Sequence, residues 1–160
     1  MTDTDTTGQE EQGLPPIVMQ GQYIKDLSFE VPNSPEIFRK MSGSPDIPIS
    51  VDVKARQLGG NVFEVVLHFN IEGKVDDETA FILELAYGGV VQVNPAEPDH
   101  TQPLLLIEAP RLMFPFARNL IADITRDGGF PPLMLQPIDF VALYRLRALE
   151  AMQASQQADA

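Results

Sequence analysis

The sequence predicts an α+β fold, in which a four-stranded antiparallel sheet carries two C-terminal helices on one of its faces. Four segments before residue 94 alternate apolar and polar side chains with the period of two that strands have. After residue 110 the apolar side chains recur every three or four positions, as they do in helices. Because all the strand patterns precede the helix patterns, we expect the helices to share one side of the sheet.

A single domain is expected to account for most of the chain. Its 160 residues and its 44% hydrophobic composition are sufficient for a packed core, which we place within residues 14–153. Residues 1–13 contain four carboxylates and no lysine or arginine, and predict a disordered acidic tail. Residues 154–160 predict a second disordered tail.

The first strand is predicted over residues 23–33. Its apolar odd positions are Tyr23, Leu27, Phe29 and Val31, with Lys25 as the exception. Its even positions are polar, and a strand would hold two of them, Asp26 and Glu30, in line on its exposed face. This arrangement indicates an anionic recognition surface, although carboxylates that merely face solvent would leave the same pattern.

Three more strands are predicted, at residues 47–56, 61–72 and 79–93. The segment Gly59-Gly60-Asn61 supplies positive-φ residues for a hairpin turn, and residues 73–78 form the next turn. In the last strand, Gly88-Gly89 predicts a bulge or a close approach of another segment. Ile82 and Glu84 share one face of that strand, and form either a mixed apolar and anionic patch for a partner or an ordinary exposed surface.

The helices follow a proline-containing loop at residues 94–103. The first helix has a wide apolar face, formed by Leu112, Phe116, Leu120 and Ile124 beside Met113, Ala117 and Ile121. Gly128-Gly129 ends this helix, and Pro115 fits it only in the first turn or at a kink. Asp139 is the expected N-cap of the second helix.

The apolar face of the first helix could be core, a subunit interface, or both. A four-stranded sheet offers only one buried face to two helices, so surplus apolar surface commonly goes to oligomerisation. The candidate interface residues are Leu112, Phe116, Leu120 and Ile124.

The net charge of −12 disfavours nucleic acid and anionic lipid as partners and suits a basic partner. The chain has no cysteine, which excludes disulfides and thiolate zinc sites. No run of about 18 apolar residues predicts a membrane span. The acidic N-terminus lacks the basic start of a secretory signal, so we expect a cytoplasmic protein.

Catalytic candidates are confined to the two histidines, His68 and His100. A catalytic or metal site needs convergent ligands or a nucleophile–base pair, and no such spacing is visible, so we predict no catalytic residue, metal or cofactor. The alternative function is a small thioesterase-like α+β oligomer that uses a carboxylate and a histidine. A pocket converging on His68 or His100 would favour that enzyme. A purely structural acidic oligomer is a third possibility.

Several short motifs occur in a distinctive order along the chain. The first contains Tyr23, Lys25-Asp26, Ser28-Phe29-Glu30 and Pro32-Asn33. The later ones are Phe63-Glu64-Val65-Val66-Leu67, Glu78-Thr79-Ala80-Phe81, Gly88-Gly89, Leu112-Met113-Phe114-Pro115-Phe116-Ala117-Arg118, Gly129-Phe130-Pro131 and Leu135-Gln136-Pro137-Ile138-Asp139-Phe140-Val141-Ala142-Leu143. Together, from about residue 20 to residue 147, they resemble the SecB family of bacterial protein-export chaperones.

The resemblance implies a homotetramer, arranged as a dimer of dimers with the long helix between the dimers. It implies a chaperone that holds unfolded preproteins without ATP and hands them to the SecA translocase ATPase. The basic, zinc-bearing tail of SecA would bind the sheet at Asp26, Glu30, Ile82 and Glu84, and the zinc would belong to SecA.

Clients would occupy grooves between the sheet edge, the crossover loop and the final helix. The candidate client-binding residues are Phe38, Met41, Phe140, Leu143 and Tyr144. The crossover loop, at residues 39–45, departs from familiar SecB sequences because it lacks their tryptophan, and Met41 offers an adaptable contact instead. The N-terminal extension is also longer than expected.

Overall fold

The computed structural model, which describes residues 13–43 and 45–159, contains one antiparallel sheet of four strands. The strands are β1 (Ile17–Glu30), β2 (Ile49–Gly59), β3 (Val62–Val75) and β4 (Glu78–Val93). They lie in the order β1-β4-β3-β2, so β1 and β2 form the two edges. The predicted fold class is confirmed. The predicted N-terminal tail lies outside the described residues, except for Gly13.

Both hairpin turns use backbone conformations with positive φ. Gly60, between β2 and β3, has φ of 57°, as its glycine predicts. Asp76 and Asp77, between β3 and β4, have φ of 51° and 65°. Two successive positive-φ residues form the turn that matches the twist of a hairpin. The strands β3 and β4 therefore extend further than predicted, and the turn between them is shorter than the predicted turn at residues 73–78.

The core lies between the sheet and the helices. The odd residues of β3 point into it, and Val65, Leu67, Phe69 and Ile71 are at most 1% exposed. Gly89 is the point of close approach in β4, because a β-carbon there would lie 3.0 Å from the sulfur of Met113. The close approach predicted for the glycine pair is present, whereas the register of β4 against β3 is unbroken at that point.

A helical segment begins earlier than the sequence indicates. After the short helix α1 (Glu36–Lys40), the next helical segment starts with a 3-10 turn (Pro98–His100), the single turn α2 (Thr101–Pro103) and a π-helical turn (Leu104–Glu108). These lead directly into α3 (Ala109–Asp127), so most of the predicted loop at residues 94–103 is helical. Pro115 lies inside α3, beyond its first turn, so the first of its two predicted placements is wrong. Pro115 is on the exposed side of the helix, where water can bond the Arg111 carbonyl that the missing N–H leaves free. Gly128 caps α3 as predicted.

The last helix, α4 (Phe140–Ala158), is capped by the side chain of Asp139, which accepts a hydrogen bond from the amide of Ala142. Phe140 is the one buried residue of α4. The ion pair between Arg147 and Asp52, at 3.3 Å, ties the exposed middle of α4 to β2. Because α4 continues to Ala158, the predicted disordered tail at residues 154–160 is wrong for its helical part.

β1 contains two β-bulges, because its register against β4 shifts between Met19 and Gly21 and again between Ile24 and Asp26. The second shift makes Lys25 an extra residue. A bulge reverses the side-chain alternation, which places Tyr23 on the face that carries Asp26. The expectation that Tyr23 shares the buried face of Leu27 and Phe29 is therefore wrong, and the alternation of residues 23–33 holds only beyond the bulge.

Candidate partner-binding surfaces

The face of the sheet that points away from α3, here called the outer face, has an acidic end. Glu30 is opposite Ile82, and Ser28 is opposite Glu84, in the register of β1 and β4. Asp26 lies on the same side, opposite Ala86, so the four residues predicted to bind SecA are neighbours. The three carboxylates are exposed and Ile82 is half-buried.

Glu72 extends this acidic end, although the sequence did not single it out. It is opposite Ile82 in the register of β3 and β4. A groove of about 350 Å³ crosses the region, and is lined by Pro48, Ile49, Ser50, Asn70, Ile71, Glu72, Ile82 and Glu84. The alternation in β3 shows only that Glu72 faces away from the core. The neighbouring strand, which the sequence does not reveal, is needed to place it beside Ile82.

The other end of the outer face is built around Glu64, which is 6% exposed. Its carboxylate accepts hydrogen bonds from Tyr23, from Lys25 at 2.7 Å and from Arg56 at 3.1 Å. Tyr23 reaches Glu64 by crossing Gly88, where a β-carbon would lie 2.5 Å from the ring. Glycine is thus required for this contact. The bulge at Lys25 produces this cluster, and the sequence contains no local sign of it.

The cluster has strongly shifted pKa values. The hydrogen bonds from Lys25 and then from Tyr23 lower the pKa of Glu64 to about 2. Burial, together with the hydrogen bond to Glu64, raises the pKa of Tyr23 to about 12. Glu64 is therefore an anion and Tyr23 is neutral throughout the physiological range.

A pocket of about 300 Å³ beside this cluster reaches His68. A pocket converging on His68 is the observation that would favour the enzyme alternative. However, the low pKa of Glu64 makes its carboxylate a weak general base, and that carboxylate accepts its hydrogen bonds from Tyr23, Lys25 and Arg56. His100 is exposed in the turn before α3, and the structure does not bring it to this pocket.

The part of the chain that spans residues 13–43 and 45–159 has no group of three or more acidic or histidine side chains that could hold a metal ion. None of its helices is long and apolar enough to cross a bilayer.

One side of α3 is not covered by any other residue that the structure describes. Leu112 and Phe116 are 47% and 54% exposed, whereas Leu120 and Ile124 are half-buried. On the same helix, the Nε of Arg118 is buried and has no hydrogen-bond partner within the described residues. The predicted interface residues therefore divide into two that are free to meet a partner and two that also support the core.

The candidate client-binding residues do not form one group. Phe38 packs on Phe130, with ring centroids 5.1 Å apart, near the end of α3. Leu143 and Tyr144 line a narrow groove with Asp52, Val53, Leu106 and Arg147. Met41 is half-buried against the core. Phe140 is 1% exposed and packs edge-on against Phe114, so it belongs to the core and is removed from the candidate groove.

The sequence missed two wider grooves along the edge strand β2, the first mainly apolar and the second mixed. One, of about 260 Å³, is lined by Ile49, Val51, Leu133, Met134, Leu135, Gln136 and Ile138. The other, of about 510 Å³, is lined by Val53, Lys54, Ala55, Gln57, Phe63, Gln102, Leu105 and Leu106. The alternating pattern of β2 identifies its apolar face. The connector after α3 has no periodic pattern, so its packing against β2 could not be predicted from the sequence.

Known proteins resemble this chain over nearly its whole length. Residues 9–151 match the SecB family, described as preprotein translocase subunit SecB. The protein-export protein SecB of Rhodospirillum rubrum is 54% identical, over 99% of this chain and 97% of its own. That of Paramagnetospirillum magneticum is 56% identical, over 98% of each chain.

A solved structure shows the same fold at low sequence identity. The SecB-like chaperone of Mycobacterium tuberculosis, in complex with a peptide from the HigA1 antitoxin, superposes with a TM-score of 0.59. It is 10% identical, and the match covers 77% of this chain and 91% of that one. With the family match and the near full-length relatives, these findings show that the chain belongs to the SecB family of protein-export chaperones.

Proposed function

We propose that this chain is an ATP-independent chaperone of the cytoplasm, which holds unfolded preproteins and delivers them to the SecA translocase ATPase. The observation that carries the proposal is the presence of two kinds of surface on one chain. Grooves that contain apolar side chains run along the β2 edge on the helix side, and a charged surface covers the outer face. The two surfaces meet at Ile49, which lines both a groove along β2 and the groove at the acidic end, and their other lining residues differ, so client and translocase can be bound at once. The proposed activity involves no catalytic residue and no cofactor.

Clients are proposed to bind the grooves along β2. An unfolded chain exposes apolar side chains, and these grooves present exposed apolar ones, with Ile49 43% and Met134 55% exposed. Leu143 and Tyr144 lie between the two wider grooves. Phe38 and Met41 are retained as further contacts near the crossover loop. Many weak contacts of this kind add through effective concentration and require no single deep pocket.

The acidic end of the outer face is proposed to bind the basic, zinc-bearing tail of SecA. Asp26, Glu30 and Glu84 supply exposed negative charge around Ile82, which supplies an apolar contact. Such charges steer an approaching cation and fix its orientation, and contribute less to raw affinity. The interaction should weaken as salt rises, because exposed charges are screened over about 8 Å at physiological ionic strength.

The chain is proposed to assemble into a tetramer, as a dimer of dimers, through the uncovered side of α3. Leu112 and Phe116 would become buried there, and Leu120 and Ile124 would complete the interface. A partner chain could also supply an acceptor for the Nε of Arg118. Apolar surface on one helix that remains exposed in a single chain supports this assignment.

The central test is whether the purified chain delays refolding of a denatured preprotein in the absence of ATP. The double variant Ile49→Ser/Met134→Ser should weaken this holding several-fold, because it removes apolar contacts from one groove of many. Leu14→Ser is the matched control, since Leu14 is an exposed apolar residue, at 75%, outside the grooves. Refolding at an unchanged rate with the wild-type chain would contradict the proposed function.

A further inference from the structure

The outer face carries a basic cluster, formed by Lys25, Lys54 and Arg56, beside its acidic end. The three cations line one pocket of about 300 Å³ together with Glu64. Three of the chain's 11 lysines and arginines thus lie together, although the net charge of the chain is −12. Because charges are screened over about 8 Å at physiological salt, an approaching ligand responds to this local cluster more than to the net charge.

The cluster contains more positive charge than Glu64 requires. Lys25 and Arg56 share that single carboxylate, and their side chains stay 43% and 65% exposed. Lys54 is exposed and takes part in none of the ion pairs seen among residues 13–43 and 45–159. Glu64 therefore holds the side chains of Lys25 and Arg56 in place without neutralising both of their charges. Cations that are already held in place lose less conformational freedom when they bind a ligand.

We propose that the basic cluster binds an acidic segment of a polypeptide partner in extended conformation. Lys54 and Arg56 are two residues apart on one strand, which separates them by roughly 7 Å. Carboxylates on alternate residues of an extended peptide have the same spacing. The guanidinium of Arg56 can bind a carboxylate through two parallel hydrogen bonds. The site is distinct from the acidic end that serves the proposed binding of SecA.

A polypeptide suits this surface better than nucleic acid does. Asp26 and Glu84 lie on the same face, along the strands from the cluster. A phosphate backbone carries charge at every nucleotide and would extend over these carboxylates, which repel it. A short run of acidic residues can end before it reaches them.

The test uses a fluorescein-labelled octapeptide of alternating glutamate and serine, titrated with the full chain at about 0.15 M salt. Fluorescence anisotropy should show binding that Lys54→Glu/Arg56→Gln weakens about tenfold or more. These substitutions leave Lys25 and Tyr23 on Glu64, so the fold is expected to persist, which circular dichroism checks. The control Arg39→Glu/Arg145→Gln makes the same change in net charge at exposed positions on α1 (Glu36–Lys40) and α4, and should bind like wild type.

Three results would overturn the proposal. The first is an octapeptide that does not bind the wild-type chain, and the second is equal weakening in the cluster variant and its control. The third is an oligothymidylate of eight nucleotides that binds as tightly as the peptide and is lost in the same variant, because the site would then accept any polyanion.

Discussion

The Glu64 carboxylate is expected to stabilise the fold through its buried hydrogen bonds, and Glu64→Gln should remove that contribution. The pKa of Glu64 is lowered from 4.5 to about 2. At 1.36 kcal/mol for each pKa unit, this corresponds to at most about 3 kcal/mol. Water around the partly exposed Lys25 and Arg56 screens the interaction, so a loss of about 1–2 kcal/mol at pH 7 is expected.

The effect has a defined pH dependence. Since the pKa of Glu64 is lower in the folded chain, its contribution is fully present above about pH 4.5. It is lost as the pH falls from there toward about 2. The difference in unfolding free energy between wild type and Glu64→Gln should therefore be constant from pH 7 to pH 5 and should shrink by more than half by about pH 3.

Urea unfolding followed by circular dichroism measures this difference, at one protein concentration because assembly also contributes to stability. The control is Glu78→Gln, which breaks the pair with Lys40. That pair has the same 2.7 Å separation, but both side chains are about half exposed. Because water screens this exposed pair, its loss should lower the free energy of unfolding much less than Glu64→Gln does. Equal losses in the two variants, or a Glu64→Gln effect that persists unchanged at pH 3, would refute the reasoning.

Three further predictions follow from single positions. Glu84→Lys should weaken binding of the isolated SecA tail by about tenfold and leave client holding intact, as titration calorimetry and the refolding assay would show. Phe116→Glu should lower the light-scattering mass from four times 17.7 kDa toward two, with unchanged circular dichroism, if Phe116 lies between dimers. Gly88→Ala should lower the free energy of unfolding by about 1–3 kcal/mol, measured in urea, because its methyl group displaces the Tyr23 ring from Glu64.

Much of the fold was predictable because its signals are local. The alternation in β3 identified its buried residues, and Gly60 and Gly128-Gly129 marked a hairpin and a helix end. The first-turn placement of Pro115 was wrong because a helix interior can accept proline on a side that water reaches. The helical end of α4 was missed because the polar composition of residues 154–160 resembles that of a tail.

The acidic end was partly predictable as well. Ile82 and Glu84 share one strand, and so do Asp26 and Glu30, so alternation alone places each pair on one face. That the two pairs are neighbours could be known only from the register of β1 against β4. The register of β3 against β4 was likewise needed to place Glu72 beside Ile82.

By itself, the sequence determined the α+β class, the strand faces and the acidic residues available to a partner, because alternation and turn chemistry act between near neighbours in the chain. Only the tertiary structure decided which strands lie side by side, that Lys25 forms a bulge, and that Tyr23, Lys25 and Arg56 meet on Glu64. It also decided that Phe140 belongs to the core. The physical reason is that strand register and helix docking are set by packing between residues far apart in sequence, which no local pattern records.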